Sequence, residues 1–158
     1  LDPSRIRLLN GIGGTRDSVV RRRVFDRAKS LGIGFHSLRH ASAIMANDVE
    51  MQEGVQVMAG AILQARVRVG ANVLINTGAI VDHGCCIGDH AHLAPGATLS
   101  GDVSVGDGAH VGAGAVVIQG VTLGHDAVIG AGAAVIKDVP AGTTVVGNPA
   151  RPINAKTR

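Results

Sequence analysis

Histidine offers the most chemistry in this sequence, and three of the seven histidines occupy informative positions. His83 directly follows Asp82, while His92 and His110 are eighteen residues apart. An imidazole exchanges a proton near neutral pH, which makes an exposed histidine suited to acid–base chemistry. Two stacked histidines can also share a zinc ion, so a metal pair at positions 92 and 110 remains an alternative.

A six-residue repeat must position these side chains. From Met45 to Val135 every sixth residue is aliphatic or Met, sixteen times in succession. A second series, four residues on in each hexad, is always small or aliphatic. A period of six fits neither an α-helix nor a run of hairpins. It predicts an all-β fold, a parallel β-helix of about five coils in which three hexads make one triangular coil.

The phase of the repeat predicts where each side chain lies. The residue before the second series is Gly, Asn or Asp in fourteen of sixteen hexads, with Arg66 and His90 as exceptions. We expect a positive φ at this corner position, which those residue types tolerate best. By the same phase His83 lies at a corner and points outward, and Gly84 is a turn residue. His92 and His110 each precede an interior residue, so they should stack in neighbouring coils on the outer face.

Residues 1–40 have a different pattern, which predicts a strand, a helix and a second strand. We expect strands at Ile6–Asn10 and Ile33–Leu38, with a glycine loop at residues 11–14. Thr15 is the expected cap of the helix, which would run to about Leu31 and be stopped by Gly32. The predicted helix has Asp17 in its first turn, Lys29 in its last, and a buried stripe of Val20, Val24, Ala28 and Leu31.

Two strands are too few for a stable parallel sheet, so residues 1–40 are interpreted as the remnant of an N-terminal α/β domain. The alternative is that the helix packs on the β-helix as a lid. The repeat domain spans residues 41–140. The regular phase ends after Pro140, and residues 141–158 are predicted to form a terminating loop and tail.

Composition excludes several classes of protein. The chain has no Trp and no Tyr, and its two Phe residues precede the repeat, as expected for a narrow interior of small aliphatic side chains. Residues 1–40 hold nine Lys and Arg against three acids, but the absence of stacking aromatics disfavours a nucleic-acid arm. No signal peptide, membrane span or disulfide framework is recognisable, since Cys85 and Cys86 point to opposite faces of one strand. We therefore expect a cytoplasmic protein.

Four stretches carry a resemblance to a known family. They are Asn76–His83 followed by Ile87-Gly-Asp-His90, then His92–Ala97, and finally Val146-Gly-Asn-Pro-Ala150. With the hexads, they resemble the left-handed β-helix (hexapeptide-repeat) acetyltransferases. Within these, the chain is similar to the enzymes that acetylate sialic acids and UDP-4-amino sugars. The resemblance implies an acetyl-CoA-dependent enzyme, a homotrimer, and a sugar or nucleotide-sugar substrate bound partly by the α/β domain, with no nucleic acid or membrane partner.

The resemblance also implies site residues. His83 aligns with the family's catalytic base, and His92, Ala113 and Ala131 align with contacts to acetyl-CoA. Asn76 matches a polar residue near the acceptor sugar. Family members often carry an acidic residue directly after the base, where this chain has Gly84; Asp82 or a backbone carbonyl would then orient the ring. Lys137 and Arg151 could meet cofactor phosphates, although solvent exposure is the simpler expectation.

These expectations leave three hypotheses. The leading one is acetyl transfer from acetyl-CoA to a sugar, with a nucleotide-linked amino sugar as the expected acceptor, by direct attack with His83 as general base and no metal. The second is a non-catalytic trimeric scaffold. The third is a zinc-dependent lyase of the carbonic anhydrase type, which the histidine spacing disfavours because no pair is 36 residues apart.

Overall fold

The structure, a computed structural model, describes residues 6–14 and 18–153. Its N-terminal unit consists of β1 (Arg7–Leu8), α1 (Val19–Ser30) and β2 (Gly34–Phe35). The two strands pair in parallel, as expected when a helix connects them. The chain then enters a parallel β-helix with three flat faces.

Each face of the β-helix is one parallel sheet of very short strands. We call them the covered face, the apolar face and the polar face. The covered face contains β3 (Leu38–Arg39), β6 (Gln56–Val57), β9 (Leu74–Ile75), β12 (His92–Leu93), β15 (His110–Val111), β18 (Val128–Ile129), β20 (Thr144–Val146) and the antiparallel β21 (Arg151–Ile153). The apolar face contains β4 (Ile44–Met45), β7 (Ile62–Leu63), β10 (Ile80–Val81), β13 (Thr98–Leu99), β16 (Val116–Val117) and β19 (Ala134–Val135). The polar face contains β5 (Glu50–Met51), β8 (Arg68–Val69), β11 (Cys86–Ile87), β14 (Ser104–Val105) and β17 (Thr122–Leu123).

The register confirms the 18-residue coil. Ile80 pairs with Thr98, and His92 pairs with His110, eighteen positions further along the chain in each case. The interior series is buried from Val57 to Val135, and these stacked aliphatic side chains form the core. The β-helix has about six coils rather than five. β3 begins the covered face before Met45, the first residue of the interior series, and β20 extends that face past Val135, the last.

The corner prediction is confirmed at its two least typical residues. Arg66 and His90 both have φ values of 61°. The glycines, Asn72 and Asp102 at equivalent corners also have positive φ values. The backbone of the coil therefore imposes the left-handed conformation even where the side chain disfavours it. Gly84 has a φ of 71°, as expected for a turn residue.

The predicted buried stripe of the helix is correct only at Ala28. α1 buries Arg21, Phe25 and Ala28, whereas Val20, Val24 and Leu31 are exposed. The reason is polar docking: Arg21 is 1% exposed and donates to the carbonyl oxygens of Asn10, Ile12 and Asn72. These bonds rotate the helix away from the side that hydrophobicity alone favours. Lys29 lies in the last turn and Gly32 follows the helix as predicted; Thr15 and Asp17 lie outside the described residues.

Two strand boundaries also differ from the predictions. The segment Ile33–Leu38 is divided between β2 and β3, because its first part pairs with β1 and its last residue joins the coil. The predicted terminating loop after Pro140 contains β20 and β21. β20 pairs in parallel with β18 and closes the last coil, and β21 folds back antiparallel on β20, which satisfies backbone groups that a loop would leave unpaired. Within the described residues no helix is long and apolar enough to span a membrane.

Candidate active site

His83 lies at the corner between β10 of the apolar face and β11 of the polar face. Its side chain is 43% exposed, as its phase predicted. Gly101, in the next coil, provides the space for the ring: a Cβ at that position would lie 2.5 Å from His83 Cε1 and 2.7 Å from Nε2. The imidazole therefore rests against bare backbone and keeps one side open to solvent.

Asp82 holds one nitrogen of this ring. Its Oδ1 accepts from the backbone N–H of His83 at 2.7 Å and lies 3.0 Å from His83 Nδ1. These two hydrogen bonds, the backbone one first, lower the pKa of the Asp82 carboxyl. A carboxylate on Nδ1 makes that nitrogen the donor and leaves Nε2 as the acceptor facing solvent.

Asp102 is a carboxylate near His83 that the sequence interpretation missed. It lies one coil above Gly84 at a corner with a φ of 57°, and its N–H donates to the carbonyl of His83 at 2.8 Å. Its Oδ2 is 4.0 Å from His83 Nε2, while its Oδ1 occupies the space that a side chain at position 84 would need. The eighteen-residue spacing from Gly84 was the signal that could have identified it.

His92 and His110 form a second arrangement on the covered face. Their rings lie 4.9 Å apart in an edge-to-face geometry, which confirms that they stack in neighbouring coils. They are 6% and 8% exposed, because the N-terminal segment covers the outer face on which they stand. Burial lowers the pKa of His92 to about 4, with the nearby His110 and Arg21 acting in the same direction and the backbone of Gly14 opposing. His92 is therefore neutral near pH 7.

A cavity of about 410 Å³ opens beside this histidine pair. It brings together all four residues expected to bind cofactor or substrate outside the His83 corner: Asn76, His92, Ala113 and Ala131. Asn76 Nδ2 lies 3.3 Å from His92 Nε2, so the amide and the ring are linked. His110 and Gly14 also line the cavity, and Gly14 was not among the residues expected there.

The cavity and His83 lie at different edges of the same protein chain. Asn76, Ala113 and Ala131 follow β9, β15 and β18, where the covered face meets the apolar face. His83 follows β10, where the apolar face meets the polar face. His83 does not line the cavity. The structure therefore brings the predicted residues together in two groups, separated by the width of the apolar face.

Within the described residues, the remaining candidates join neither of these two groups. Cys85 is buried, and burial raises the pKa of its thiol to about 11, which makes it unsuited to nucleophilic catalysis. Lys137 and Arg151 line a separate cavity of about 340 Å³ near the end of the coil, and both are exposed. Among the described residues no group of three His, Cys, Asp or Glu side chains is arranged to hold a metal ion.

Comparisons with known proteins agree with this fold. Residues 66–101 match the family described as bacterial transferase hexapeptide (six repeats), and residues 102–137 match the hexapeptide repeat of succinyl-transferase. A comparison with curated protein sequences gives no significant match.

Solved structures give closer relatives. A variant of perosamine N-acetyltransferase from Caulobacter crescentus, bound to CoA and GDP-perosamine, is 39% identical, with a TM-score of 0.86 over 89% of this chain and 67% of that one. The acetyltransferase domain of PglB from Neisseria gonorrhoeae FA1090, bound to acetyl coenzyme A, is 35% identical, with a TM-score of 0.89 over 97% and 73%. WeeI from Acinetobacter baumannii AYE is 32% identical, with a TM-score of 0.80 over 88% and 68%.

The hexad register, the two groups of site residues and relatives at this level of identity lead to one conclusion. The chain belongs to the left-handed β-helix (hexapeptide-repeat) sugar acetyltransferases.

Proposed function

We propose that this chain transfers the acetyl group of acetyl-CoA to the amino group of a nucleotide-linked sugar, with His83 as the general base. The observation that carries this proposal is the exposure and hydrogen bonding of the His83 ring. Asp82 engages Nδ1, and Nε2 faces solvent as a proton acceptor. An exposed imidazole fixed in this way suits the removal of a proton from an attacking amine.

The cavity on the covered face is the proposed acetyl-CoA site. Ala113 and Ala131 leave the main chain accessible there, so an extended pantetheine arm could lie against the coil and bond to backbone groups. Neutral His92 places no charge beside the thioester. Asn76, bonded to His92, is proposed to contact the acceptor sugar from the same cavity. Two of the relatives described above were solved with CoA or acetyl coenzyme A, which supports this assignment.

A homotrimer is proposed to unite the two groups of residues. The apolar face exposes Ile44 (62%), Ile80 (37%) and Val116 (44%), a stripe of large aliphatic residues that a partner would bury. Threefold packing of these faces would place the His83 edge of one protomer beside the cavity edge of its neighbour. Each of three sites would then use His83 from one protomer and the cavity from the next.

The proposed reaction is a direct transfer. His83 Nε2 takes a proton from the amine, whose nitrogen attacks the thioester carbon of acetyl-CoA. Backbone N–H groups at the site would stabilise the oxyanion of the tetrahedral intermediate. Its collapse breaks the C–S bond and releases CoA. Asp82 would hold the ring in place and stabilise the positive charge that forms on it.

Two further assignments complete the proposal. Residues 1–40 are proposed to belong to the α/β domain that contacts the nucleotide, since β1, α1 and β2 form a parallel unit docked beside the cavity. A cytoplasmic location, where acetyl-CoA and nucleotide sugars are both found, also remains a prediction.

Acetyl transfer to GDP-perosamine is the direct test of this function, because a relative binds that molecule. Release of CoA is measured with a thiol reagent, and the acetylated sugar is identified by mass. A thermal-shift titration with acetyl-CoA alone runs in parallel, and we expect the melting temperature to rise with concentration. A protein that neither responds to acetyl-CoA nor releases CoA would instead be a scaffold.

Mixed assemblies test the shared site. His83→Asn protomers are co-expressed with Ala131→Trp protomers, whose cavity is blocked. Each variant alone should be inactive, while the mixture should recover about a quarter of the wild-type rate, since one site in four combines an intact His83 with an intact neighbouring cavity. A mixture as inactive as its components would contradict a site built between protomers.

A further inference from the structure

His83 has carboxylates on both sides of its ring, and only one of them orients it. Asp82 bonds to Nδ1, as described above. Asp102 approaches the opposite nitrogen, with its Oδ2 4.0 Å from Nε2, and its side chain is 57% exposed. Nε2 and Oδ2 are both acceptors, and 4.0 Å is too long for a hydrogen bond between them. The pair is open to a ligand that donates to both.

The local backbone places Asp102 in this position. Its positive φ directs the side chain along the corner, and the bond from its N–H to the His83 carbonyl ties the two coils together. Gly84 has no side chain to compete for the space that Asp102 Oδ1 fills, and Gly101 makes room for the ring. Two glycines thus allow an imidazole and a carboxylate to face the same point in solvent.

We propose that His83 Nε2 and Asp102 Oδ2 form a two-acceptor site for the ammonium group of the acceptor sugar, and that Asp102 determines the preference for amines over hydroxyls. This inference rests on the function proposed above. A nitrogen about 2.9 Å from both acceptors would direct two N–H bonds at an angle of roughly 90°, which a tetrahedral ammonium group satisfies with little distortion. A hydroxyl has one hydrogen and can serve only one of the two acceptors.

The charge of the acceptor favours the same assignment. Aliphatic amines are largely protonated near neutral pH, and an ammonium group cannot attack a thioester. In the proposed site one N–H proton passes to His83 Nε2, which leaves a neutral amine still bonded to Asp102. The amine lone pair forms the C–N bond, the C–S bond breaks, and the second proton leaves with the CoA sulfur as a thiol. The proton on His83 then passes to solvent.

Asp102→Asn tests this role with little change in shape, because Asn tolerates the same backbone conformation. We expect the KM for GDP-perosamine to rise about 10- to 100-fold, as for loss of a charge-assisted hydrogen bond, with kcat changed much less. We expect the analogue with a hydroxyl in place of the amine to react slowly with wild type and equally slowly with Asp102→Asn. Asp126→Asn is the matched control, since Asp126 occupies an equivalent corner with a φ of 53° beside Arg22.

A carboxylate exchange provides the second variant. Combining Gly84→Asp with Asp102→Gly returns a carboxylate to the same space from the coil below, and it should recover much of the amine preference. An unchanged thermal shift with acetyl-CoA shows that Asp102→Asn is folded. If Asp102→Asn does not fold, the exchange variant tests the role of the carboxylate in its place.

Wild-type protein separates the two levels of the proposal. Absence of acetylation by wild type would overturn the proposed function itself. Wild-type activity combined with an unchanged KM and an unchanged amine-to-hydroxyl ratio in Asp102→Asn would overturn only the role of Asp102.

Discussion

The two histidine sites of this protein use the same residue type in opposite ways. His83 stands exposed at a corner with a carboxylate near each ring nitrogen. His92, only half a coil further along the chain, is buried against His110 under the N-terminal segment, and burial lowers its pKa to about 4. An identical side chain is thus an exposed ring held by a carboxylate in one place and a buried, neutral ring in the other.

The difference shows that the repeat places each ring and that the covering segment then decides how far it is buried. Both histidines project from the outside of the same coil, and without residues 6–14 and α1 both would face solvent. The buried Arg21, which holds the helix through three backbone carbonyls, is therefore also part of what keeps His92 neutral. We expect variants that disturb this cover to change the His92 site and to spare the His83 corner.

The first prediction concerns the pH dependence of stability at the buried site. The pKa of His92 is lower in the folded state than in the unfolded state. Between about pH 6.5 and pH 4 the unfolded state therefore binds more protons than the folded state, and the protein loses stability as the pH falls. Its contribution is fully present above that window, and about 3 kcal/mol of the free energy of unfolding is lost across it. His92→Gln should remove this part of the pH dependence, measured by urea unfolding at each pH.

The exposed His125 provides the control for that measurement. His125 is 69% exposed, so His125→Gln controls for replacing a histidine at a site where burial plays no part. A wild-type slope that survives in His92→Gln would mean that His92 is not held neutral by burial.

The second prediction tests the cavity as a cofactor site. Ala131→Leu should fill part of the proposed path of the pantetheine arm and raise the Kd for acetyl-CoA about tenfold or more, since side-chain bulk would force the ligand from the backbone. Isothermal titration measures the affinity. Ala141→Leu, at an exposed turn on another edge of the coil, should bind acetyl-CoA normally. Equal affinities in the two variants would place the cofactor elsewhere.

The third prediction concerns the smaller effect of Asp82. Asp82→Asn keeps an acceptor oxygen beside His83 but removes the negative charge that would stabilise the protonated ring. We expect kcat to fall about tenfold, within the range for one charge-assisted hydrogen bond, while the KM for both substrates stays near the wild-type value. A change confined to KM would instead assign Asp82 to substrate binding.

The sequence predicted the β-helix and much of the site geometry because both depend on a strict period. Phase alone located the exposed His83, the His92–His110 stack and the interior Cys85. Two features lay beyond it. The burial of His92 depends on the packing of a non-repetitive segment, and α1 docks through Arg21, which no hydrophobic pattern indicates. Asp102 was overlooked because its partner Gly84 is adjacent in space but one full coil away in sequence.

The most direct test of the contrast between the two sites compares His83→Asn and His92→Asn under the same conditions. Initial rates of CoA release are measured with saturating GDP-perosamine over a range of acetyl-CoA concentrations, with His125→Asn as the control for an exposed histidine beside an aspartate. We predict that His83→Asn lowers kcat by at least about 10²-fold with acetyl-CoA binding intact. His92→Asn should mainly raise the KM for acetyl-CoA. Retention of wild-type kcat in His83→Asn would contradict its assignment as the base.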